Sequence, residues 1–387
     1  MLLANLRLKP KELPPHLASL RAEVRRFLAD ELAAGSYRRE PSGWDRYDAA
    51  FSRKVGARGW IGMTWPREYG GHARSSLERY VVTEELLAAG APVRGHWGAD
   101  RQFGPLLLSV GTEKQKRRYL PRIAAGECFH CVGLSEPDSG SDVASIRTKA
   151  VKVDGGWRIE GRKVWTSYAH KAHVMNLFAR TSPRTEQDRH AGVTQFLVDM
   201  TWPGITVRPI INLAGDHDFN EVVFDGVFVP DDMVLGQVDH AWTQMTGQLA
   251  HERSGPERWL GTYGLLVHLI DQVGPEVRQR DAEKIGRLVA YLWTLHRMSF
   301  SIAAMLGRGE SPDVEAALVK DLGNFYDQEV PGVAREIVPE EVRATLPPDN
   351  RFNAMLDRAL YYGPAYTIRG GTREILRGTI ARALGLR

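Results

Sequence analysis

The spacing of apolar residues changes character twice along this 387-residue chain. Apolar residues recur at helical spacing in Leu17–Leu28 and again in Glu78–Leu87. Between about residues 128 and 236 they alternate with polar residues in short runs, and Val151–Gly161 has a hairpin pattern around Asp-Gly-Gly. Helical spacing then returns. The order predicts an α+β protein whose helices and strands are segregated along the sequence.

This change of spacing predicts three domains. They are an N-terminal helical domain over 1–127, a central β domain over 128–236 and a C-terminal helical domain over 237–387. Further strands are expected at Val174–Ala179, Gln195–Val198, Thr206–Ile210 and Glu221–Val229. C-terminal helices are expected at Trp242–Val273, Asp281–Leu306, Val314–Glu329 and Arg373–Leu384.

Composition narrows the class of protein. A hydrophobic content of 43% and a charged content of 25% are typical of a soluble globular chain. No apolar run is long enough to span a bilayer, and the N-terminus lacks a signal-peptide pattern, so we expect a cytoplasmic protein. The net charge of +4 is spread along the chain, which favours a solvated surface and argues against nucleic-acid binding.

The two cysteines, Cys128 and Cys131, form a Cys-x-x-Cys pattern that suggests a metal or redox site. The segment 128–134, however, has the composition of a strand, where residues three apart point to opposite faces. Two ligands also do not complete a closed zinc site. We therefore expect buried packing for both thiols and no metal site.

A loop rich in Gly, Ser and Asp, Leu134–Asp142, lies between two apolar runs. Its backbone N–H groups and hydroxyls suit an anionic group such as a pyrophosphate. About two dozen residues later, an aromatic ring is followed by two hydroxyl residues, which suits a flat ring with hydrogen-bonding edges. Such a loop alone is typical of a surface turn. The candidate cofactor contacts are Leu134, Ser135, Gly140, Ser141, Trp165, Thr166 and Ser167.

Together these motifs resemble the flavin-binding signature of the acyl-CoA dehydrogenase family. Other segments agree with the family in its order: Gly59–Gly71, Gly111–Lys116, Tyr119–Pro121, Asn220–Asp225, Val229–Pro230 and Thr367–Ile375. The resemblance covers nearly the whole chain. It implies a central β-barrel or sandwich domain, a C-terminal four-helix bundle, FAD as cofactor, and oxidation of an acyl-CoA thioester to the trans-2-enoyl-CoA.

The implied reaction needs a carboxylate that removes the α-proton while the β-hydrogen leaves as hydride to flavin N5. It also needs donors for the enolate-like thioester oxygen. In much of the family the base is a Glu directly before Gly-Thr in the C-terminal motif, and here that position is Gly370. The resemblance implies that the Gly370 N–H faces the thioester oxygen, that Gly371 lies beside the substrate, and that Thr372 contacts the cofactor.

A second subgroup, which includes isovaleryl-CoA and long-chain acyl-CoA dehydrogenases, carries the Glu on a C-terminal helix just before an Arg. This chain has Glu252 and Arg253 at that place. The resemblance therefore implies Glu252 as the base and Arg253 as a substrate contact, since Gly370 cannot take a proton. Pro256 cannot donate a helical hydrogen bond to the Glu252 carbonyl, so the helix should kink or restart there, with Ser254 as a candidate N-cap.

Two other carboxylates, Glu257 and Glu374, are reserve candidates for the base, although each is better interpreted as a solvated charge. A non-catalytic homologue remains an alternative, as does a DNA-associated homologue or a flavin oxidase or monooxygenase on the same fold. These readings predict, in turn, no flavin bleaching by acyl-CoA, salt-sensitive DNA binding, and oxygen consumption without another acceptor.

Two motifs with which family homotetramers contact the flavin of a neighbouring subunit are not evident here. The corresponding regions read Gln272–Asp281 and Arg335–Arg343 with Pro347–Asn350. The resemblance therefore implies a homo- or hetero-oligomer, with an α2β2 assembly including a homologous subunit as one form. An electron-transfer flavoprotein is the expected electron acceptor, and oxygen is the alternative.

Overall fold

The computed structural model describes residues 6–9, 13–38, 46–184, 188, 190–246, 255–368 and 370–386. The chain folds into two compact units. The helical unit consists of Met1–Tyr47, Arg74–Arg94 and Ala250–Arg387, and the sheet unit consists of Asp48–Ala73 and Gly95–Leu249. The predicted domain boundaries at residues 127 and 236 stay a prediction.

The α-helices of the described residues precede and follow the strands. In chain order they are α1 His16–Ala33, α2 Ala49–Ala57, α3 Ser76–Ala88, α4 Arg94–Gly98, α5 Gly104–Val110, α6 Glu113–Ala124, α7 Ala241–Thr246, α8 Tyr263–Val273, α9 Gln279–Leu306, α10 Asp313–Ile337, α11 Glu340–Arg343, α12 Arg351–Tyr366 and α13 Arg373–Ala383. The α+β class predicted from the change in apolar spacing is confirmed.

The strands form one mixed sheet. They are β1 His130–Gly133, β2 Lys149–Val153, β3 Gly156–Lys163, β4 Val174–Arg180, β5 Val193–Asp199, β6 Ile205–Ile210, β7 Phe219–Pro230 and β8 Val234–Leu235. Their order is β6-β7-β3-β2-β4-β5-β8, and β1 pairs in parallel with β4. The predicted hairpin is β2–β3, in which Val153 pairs with Gly156 around Asp154-Gly155, with Gly155 at φ +68°. A two-residue turn of this kind favours glycine.

Local sequence signals account for several helix starts. Ser75 and Glu78 form a capping box at α3, and Thr112 and Gln115 form one at α6. The buried Gln115 amide also donates to the carbonyls of Asp232 and Val234, each at 2.8 Å. One side chain thus begins α6 and ties it to β8.

Ion pairs join the helices of the helical unit. Arg21 on α1 contacts Glu84 on α3 at 2.8 Å, and Arg25 contacts Glu85 at 2.7 Å. Glu84 also lies 2.6 Å from Nδ1 of His296 on α9. Because both carboxylates are largely buried, these contacts fix α3 between two other helices.

The helical stretch predicted over Trp242–Val273 is interrupted at Pro256, where a kink or restart was expected. Among the described residues, α7 covers Ala241–Thr246, Pro256–Arg258 form a 3-10 turn, and α8 begins only at Tyr263. Pro256 supplies the physical reason, because it lacks the N–H that a continuing helix needs. The candidate N-cap Ser254 lies outside the described residues.

Candidate functional site

The loop 134–142 rests on a buried ion pair that joins it to the end of β3. Glu136 and Lys163 are 7% and 0% exposed, and Lys163 Nζ lies 2.8 Å from Glu136 Oε1. Lys163 also donates to the Leu134 carbonyl at 3.0 Å, and Glu136 accepts from the backbone N–H groups of Arg147 and Thr148. The loop is therefore held at its base by charge-assisted hydrogen bonds.

Burial lowers the pKa of Lys163 to about 8, although the neighbouring Glu136 opposes that shift. Burial alone would raise the pKa of Glu136, but the charge and hydrogen bond of Lys163 outweigh it and leave that pKa below its ordinary value. Removing one partner would leave the other buried without its counter-charge. The sequence predicted the loop but not this ion pair. A lysine at the end of an otherwise apolar, buried strand could have indicated it.

A second clamp holds the chain just after the loop. Arg180 on β4 donates from Nη2 to the Ala144 carbonyl at 2.8 Å and from Nε to the Ile146 carbonyl at 3.0 Å. The candidate contact Ser135 lies beside β3, where its carbonyl accepts from Val164 N–H at 2.9 Å. Ser135 and Leu134 are half-buried, whereas Gly140 and Ser141 are exposed at the tip of the loop. A rigid base thus presents a polar, sterically small tip.

Trp165 extends into solvent from a strained backbone. Its φ is +58° and its side chain is 59% exposed, with the ring edge-on to Phe219 at a centroid distance of 6.0 Å. A non-glycine residue adopts this left-handed conformation only where its surroundings impose it. The structure therefore offers a large aromatic face to whatever lies against it.

Two backbone hydrogen bonds join Thr166 to Asn220 of β7. Its N–H donates to the Asn220 carbonyl at 3.0 Å, and its carbonyl accepts from the Asn220 N–H at 3.1 Å. The Thr166 hydroxyl is buried and has no hydrogen-bond partner among the described residues. Ser167, the next residue, is half-buried. A buried hydroxyl normally has a hydrogen-bond partner, which a bound polar group or an ordered water can supply here.

Two histidines, His170 and His217, contact Asn220 beside this segment, and the sequence did not indicate them. The rings of His170 and His217 stack with centroids 3.8 Å apart, and both lie within 3.2 Å of Oδ1 of Asn220. Burial, and then the neighbouring His217, lower the pKa of His170. Asn220 was part of the family resemblance, but nothing in the sequence indicated which side chains would meet it.

In the helical unit, Gly370 and Gly371 form a left-handed turn with φ of +62° and +93°. Both carbonyls accept from Nζ of Lys320 on α10, the second at 3.0 Å. Thr372 follows as the N-cap of α13, where its hydroxyl accepts from Ile375 N–H. The three predicted C-terminal site residues thus form one short element before α13. Lys320 was not anticipated.

The structure describes two of the three candidate bases, Glu257 and Glu374. Glu252 and Arg253 lie outside the described residues. Glu257 is 4% exposed and its carboxylate lies 3.6 Å from Nε of Arg258, so its interpretation as a solvated charge is wrong. Glu374 is exposed in the first turn of α13, where its own backbone N–H and the Thr372 hydroxyl lower its pKa. An exposed carboxylate of lowered pKa is a poor proton acceptor.

The two cysteines are buried thiols that form no disulfide. Cys131 lies on β1 and Cys128 just before it, so the strand is shorter than predicted. Burial raises the pKa of Cys128 to about 11, which keeps it a protonated, unreactive thiol. Among the described residues no cluster of His, Cys, Asp or Glu is suited to a metal ion. In that same part of the chain, no helix has the length and apolarity needed to cross a membrane.

Comparison with known proteins gives the family of the chain. Residues 14–127 match the family model for the acyl-CoA dehydrogenase N-terminal domain, and residues 131–227 match the middle-domain model. The acyl-CoA dehydrogenase IpdE1 of Mycobacterium tuberculosis is 33% identical over 95% of this chain and 97% of its own length. FadE34 of the same organism is 37% identical over 85% of this chain, which spans only 45% of that protein.

A solved structure, the Tcur3481-Tcur3483 steroid ACAD, superposes with a TM-score of 0.85. It is 28% identical to this chain, and the match covers 97% of this chain and 99% of the other. Sequence and fold therefore lead to one assignment. The chain belongs to the acyl-CoA dehydrogenase family of flavin-dependent oxidoreductases.

Proposed function

We propose that this protein catalyses FAD-dependent α,β-dehydrogenation of an acyl-CoA thioester to the trans-2-enoyl-CoA. The observation that carries the proposal is the Trp165–Thr166 segment, which combines an exposed aromatic face with a buried hydroxyl that has no partner among the described residues. These features fit a flat ring with polar edges. Leu134, Ser135, Gly140, Ser141, Ser167 and Thr372 are the further residues proposed to hold the cofactor.

Bound FAD would supply the hydride acceptor. The chain itself must remove the α-proton, and Glu252 is proposed to take it on its carboxylate. Gly370 is proposed to donate its N–H to the thioester carbonyl oxygen, which gains negative charge as the proton leaves. Arg253 and Gly371 are proposed to contact the substrate. The left-handed turn at Gly370 offers only backbone, so the base must come from another position.

We also propose a bulky acyl group, such as a steroid side chain, and a homologous partner subunit. The support is the similarity to the Tcur3481-Tcur3483 steroid ACAD, whose name contains two protein names. Several apolar side chains on the C-terminal helices are exposed, including Trp293 at 60% and Tyr361 at 51%. Exposed apolar surface of this kind is typical of a subunit interface. An electron-transfer flavoprotein is the proposed electron acceptor.

Anaerobic titration of the purified holoprotein with straight-chain, branched and steroid-side-chain acyl-CoAs tests the reaction. The substrate should bleach the oxidised flavin absorbance, and Glu252→Gln should abolish bleaching while FAD stays bound. Glu374→Gln is the matched control, because it removes an exposed carboxylate from the same unit, and it should bleach like the wild type. Retained turnover by Glu252→Gln would remove Glu252 from the mechanism.

The partner proposal has its own test. The chain is expressed alone and together with a homologous subunit encoded beside it, and the flavin content of each assembly is measured. The co-expressed assembly should hold more FAD per chain. Full flavin occupancy in an oligomer of this chain alone would contradict the need for a partner.

Steady oxygen consumption without any acceptor would instead assign a flavin oxidase.

A further inference from the structure

Helix α10 is buried on nearly every side, and it carries charged and polar residues into the interior of the helical unit. Its buried polar residues are Glu315, Lys320, Asp321, Asn324 and Asp327. Several contact segments that are not helical. Glu315 accepts from the backbone N–H of Arg7, and Asp327 accepts from the N–H and hydroxyl of Thr262. The buried side chains of helix α10 therefore anchor several irregular segments through hydrogen bonds.

Lys320 makes the contact closest to the proposed chemistry. Its side chain is 0% exposed, and Nζ donates to the carbonyl oxygens of both Gly370 and Gly371. Burying an ammonium group is unfavourable unless several acceptors surround it. The two carbonyls are therefore a substantial part of what keeps this cation in the interior, and the cation in turn fixes both carbonyls.

Two adjacent glycines need such a restraint. Gly370 and Gly371 have no Cβ atoms to limit their backbone angles, and both adopt positive φ. A donor that binds successive carbonyls fixes the planes of two neighbouring peptides. The Gly370 N–H belongs to the preceding peptide, which meets the first of those planes at the Gly370 Cα, so its direction depends on them through φ of Gly370.

We infer that Lys320 is a positioning residue that holds the Gly370–Gly371 turn so that the Gly370 N–H meets the thioester carbonyl oxygen. This inference rests on the proposed function. Lys320 does not touch the substrate in this scheme, and it acts through the two glycine carbonyls. A displacement of about 1 Å in such a donor can lower a rate about a hundredfold.

The next residue on α10 offers a matched control. Asp321 is also largely buried, and its two oxygens accept from Nε of Arg373 at 2.7 Å and Nε of Arg377 at 3.2 Å. It therefore anchors the first two turns of α13, whereas Lys320 anchors the glycine turn before the helix. Asp321→Asn removes one charge and weakens charge-assisted contacts on the same helix, as Lys320→Met does, without touching the glycine carbonyls.

The test compares the wild-type holoprotein with Lys320→Met and Asp321→Asn. Hydrogen exchange is measured over residues 367–377, together with FAD content, kcat, and binding of a substrate thioester and of the thioether analogue that lacks the carbonyl. Lys320→Met should speed exchange at the glycine turn, lower kcat about a hundredfold and lose the preference for thioester over thioether, with FAD retained. Asp321→Asn should keep that preference.

Unchanged exchange at the turn in Lys320→Met, or an equal loss of thioester preference in Asp321→Asn, would overturn the inference. If Lys320→Met does not fold, Lys320→Gln is used, whose amide can donate to one carbonyl, and it should give an intermediate loss. Failure of the proposed function looks different, because no acyl-CoA would bleach the wild-type flavin even though exchange at the turn still responded to Lys320→Met.

Discussion

His96 is a titratable side chain enclosed within the sheet unit. It is 4% exposed, Nδ1 lies 3.0 Å from the Ser52 hydroxyl, and burial lowers its pKa to about 3. In the unfolded chain its pKa is about 6.5, so between these values the unfolded state binds the extra proton. The contribution of His96 to stability is therefore complete above pH 6.5 and is lost as the pH falls toward 3.

We predict that lowering the pH from 7.5 to 5 reduces the free energy of unfolding by about 2 kcal/mol through His96 alone. His96→Gln keeps a hydrogen-bonding side chain toward Ser52 and removes the titration, so it should flatten the pH dependence by that amount. Urea unfolding at several pH values measures the effect. A parallel pH dependence in the two proteins would exclude His96 as its source.

At the scale of single residues, the sequence was most informative about candidate site residues that are neighbours in the chain. Trp165 and Thr166 stand out because an aromatic ring followed by hydroxyls has a chemical meaning on its own, and their role in binding a cofactor stays a prediction. The pair Glu136 and Lys163 could not be predicted, because its partners are 27 residues apart and meet only through strand register. The contact of Lys320 with Gly370 spans 50 residues and depends on helix packing.

At the scale of elements, the joint between the 3-10 turn and α8 depends on Asp327 of α10. The carboxylate accepts from the N–H and hydroxyl of Thr262 at 3.0 and 2.9 Å. It also fills the space beside Gly261, where an added Cβ would lie 2.7 Å from Oδ2 of Asp327. The carboxylate can therefore lie here only because residue 261 has no side chain.

Asp327→Ala should lower the free energy of unfolding by about 1–3 kcal/mol, because it leaves two buried donors of Thr262 without this acceptor. Gly261→Ala should also destabilise, through its clash with the carboxylate. The double variant relieves that clash, so its loss should be smaller than the sum of the two single losses by at least about 0.5 kcal/mol. Urea unfolding checks this, and strictly additive losses would contradict the contact.

The elements themselves were predictable where one local signal dominated. Asp154-Gly155 between alternating residues specified the hairpin, and the capping residues Ser75 and Thr112 mark where two helices begin. The break in the region after α7 was also predictable, because Pro256 lacks the N–H that a continuing helix needs. The sequence did not indicate the form of the break, a 3-10 turn at Pro256–Arg258 that packs against α10.

At the scale of the whole molecule, the exposed residues of α9 bear on assembly. Trp293 is 60% exposed and stacks on His296 with ring centroids 5.3 Å apart, so the indole is held outward in a fixed orientation. A charge placed in an apolar interface is strongly unfavourable, whereas the same charge on a solvated surface has little effect on stability. The proposed partner subunit makes this face part of an interface.

Trp293→Glu should therefore lower the mass of the assembly measured by light scattering, without a comparable fall in the unfolding temperature of the chain. Val151→Glu is the control, because Val151 is 59% exposed on the sheet and should leave the assembly intact. Equal masses for the wild type and Trp293→Glu would place the subunit interface elsewhere.

The overall class was the easiest property to predict, since two changes in apolar spacing specify helices, then strands, then helices. What the sequence did not indicate is that the first helical segment is divided between two units, with α2 in the sheet unit and α3 in the helical unit. Compactness is a property of long-range packing, and no local spacing reports it.

The outward position of Trp165 has an optical consequence. Trp60, Trp65, Trp97, Trp157 and Trp259 are buried, whereas Trp165 and Trp293 are the exposed tryptophans of the described residues. An indole in water emits at longer wavelength than a buried one and is open to collisional quenchers. The strained backbone that holds Trp165 outward therefore gives the protein a natural fluorescent label in the segment proposed to hold its cofactor.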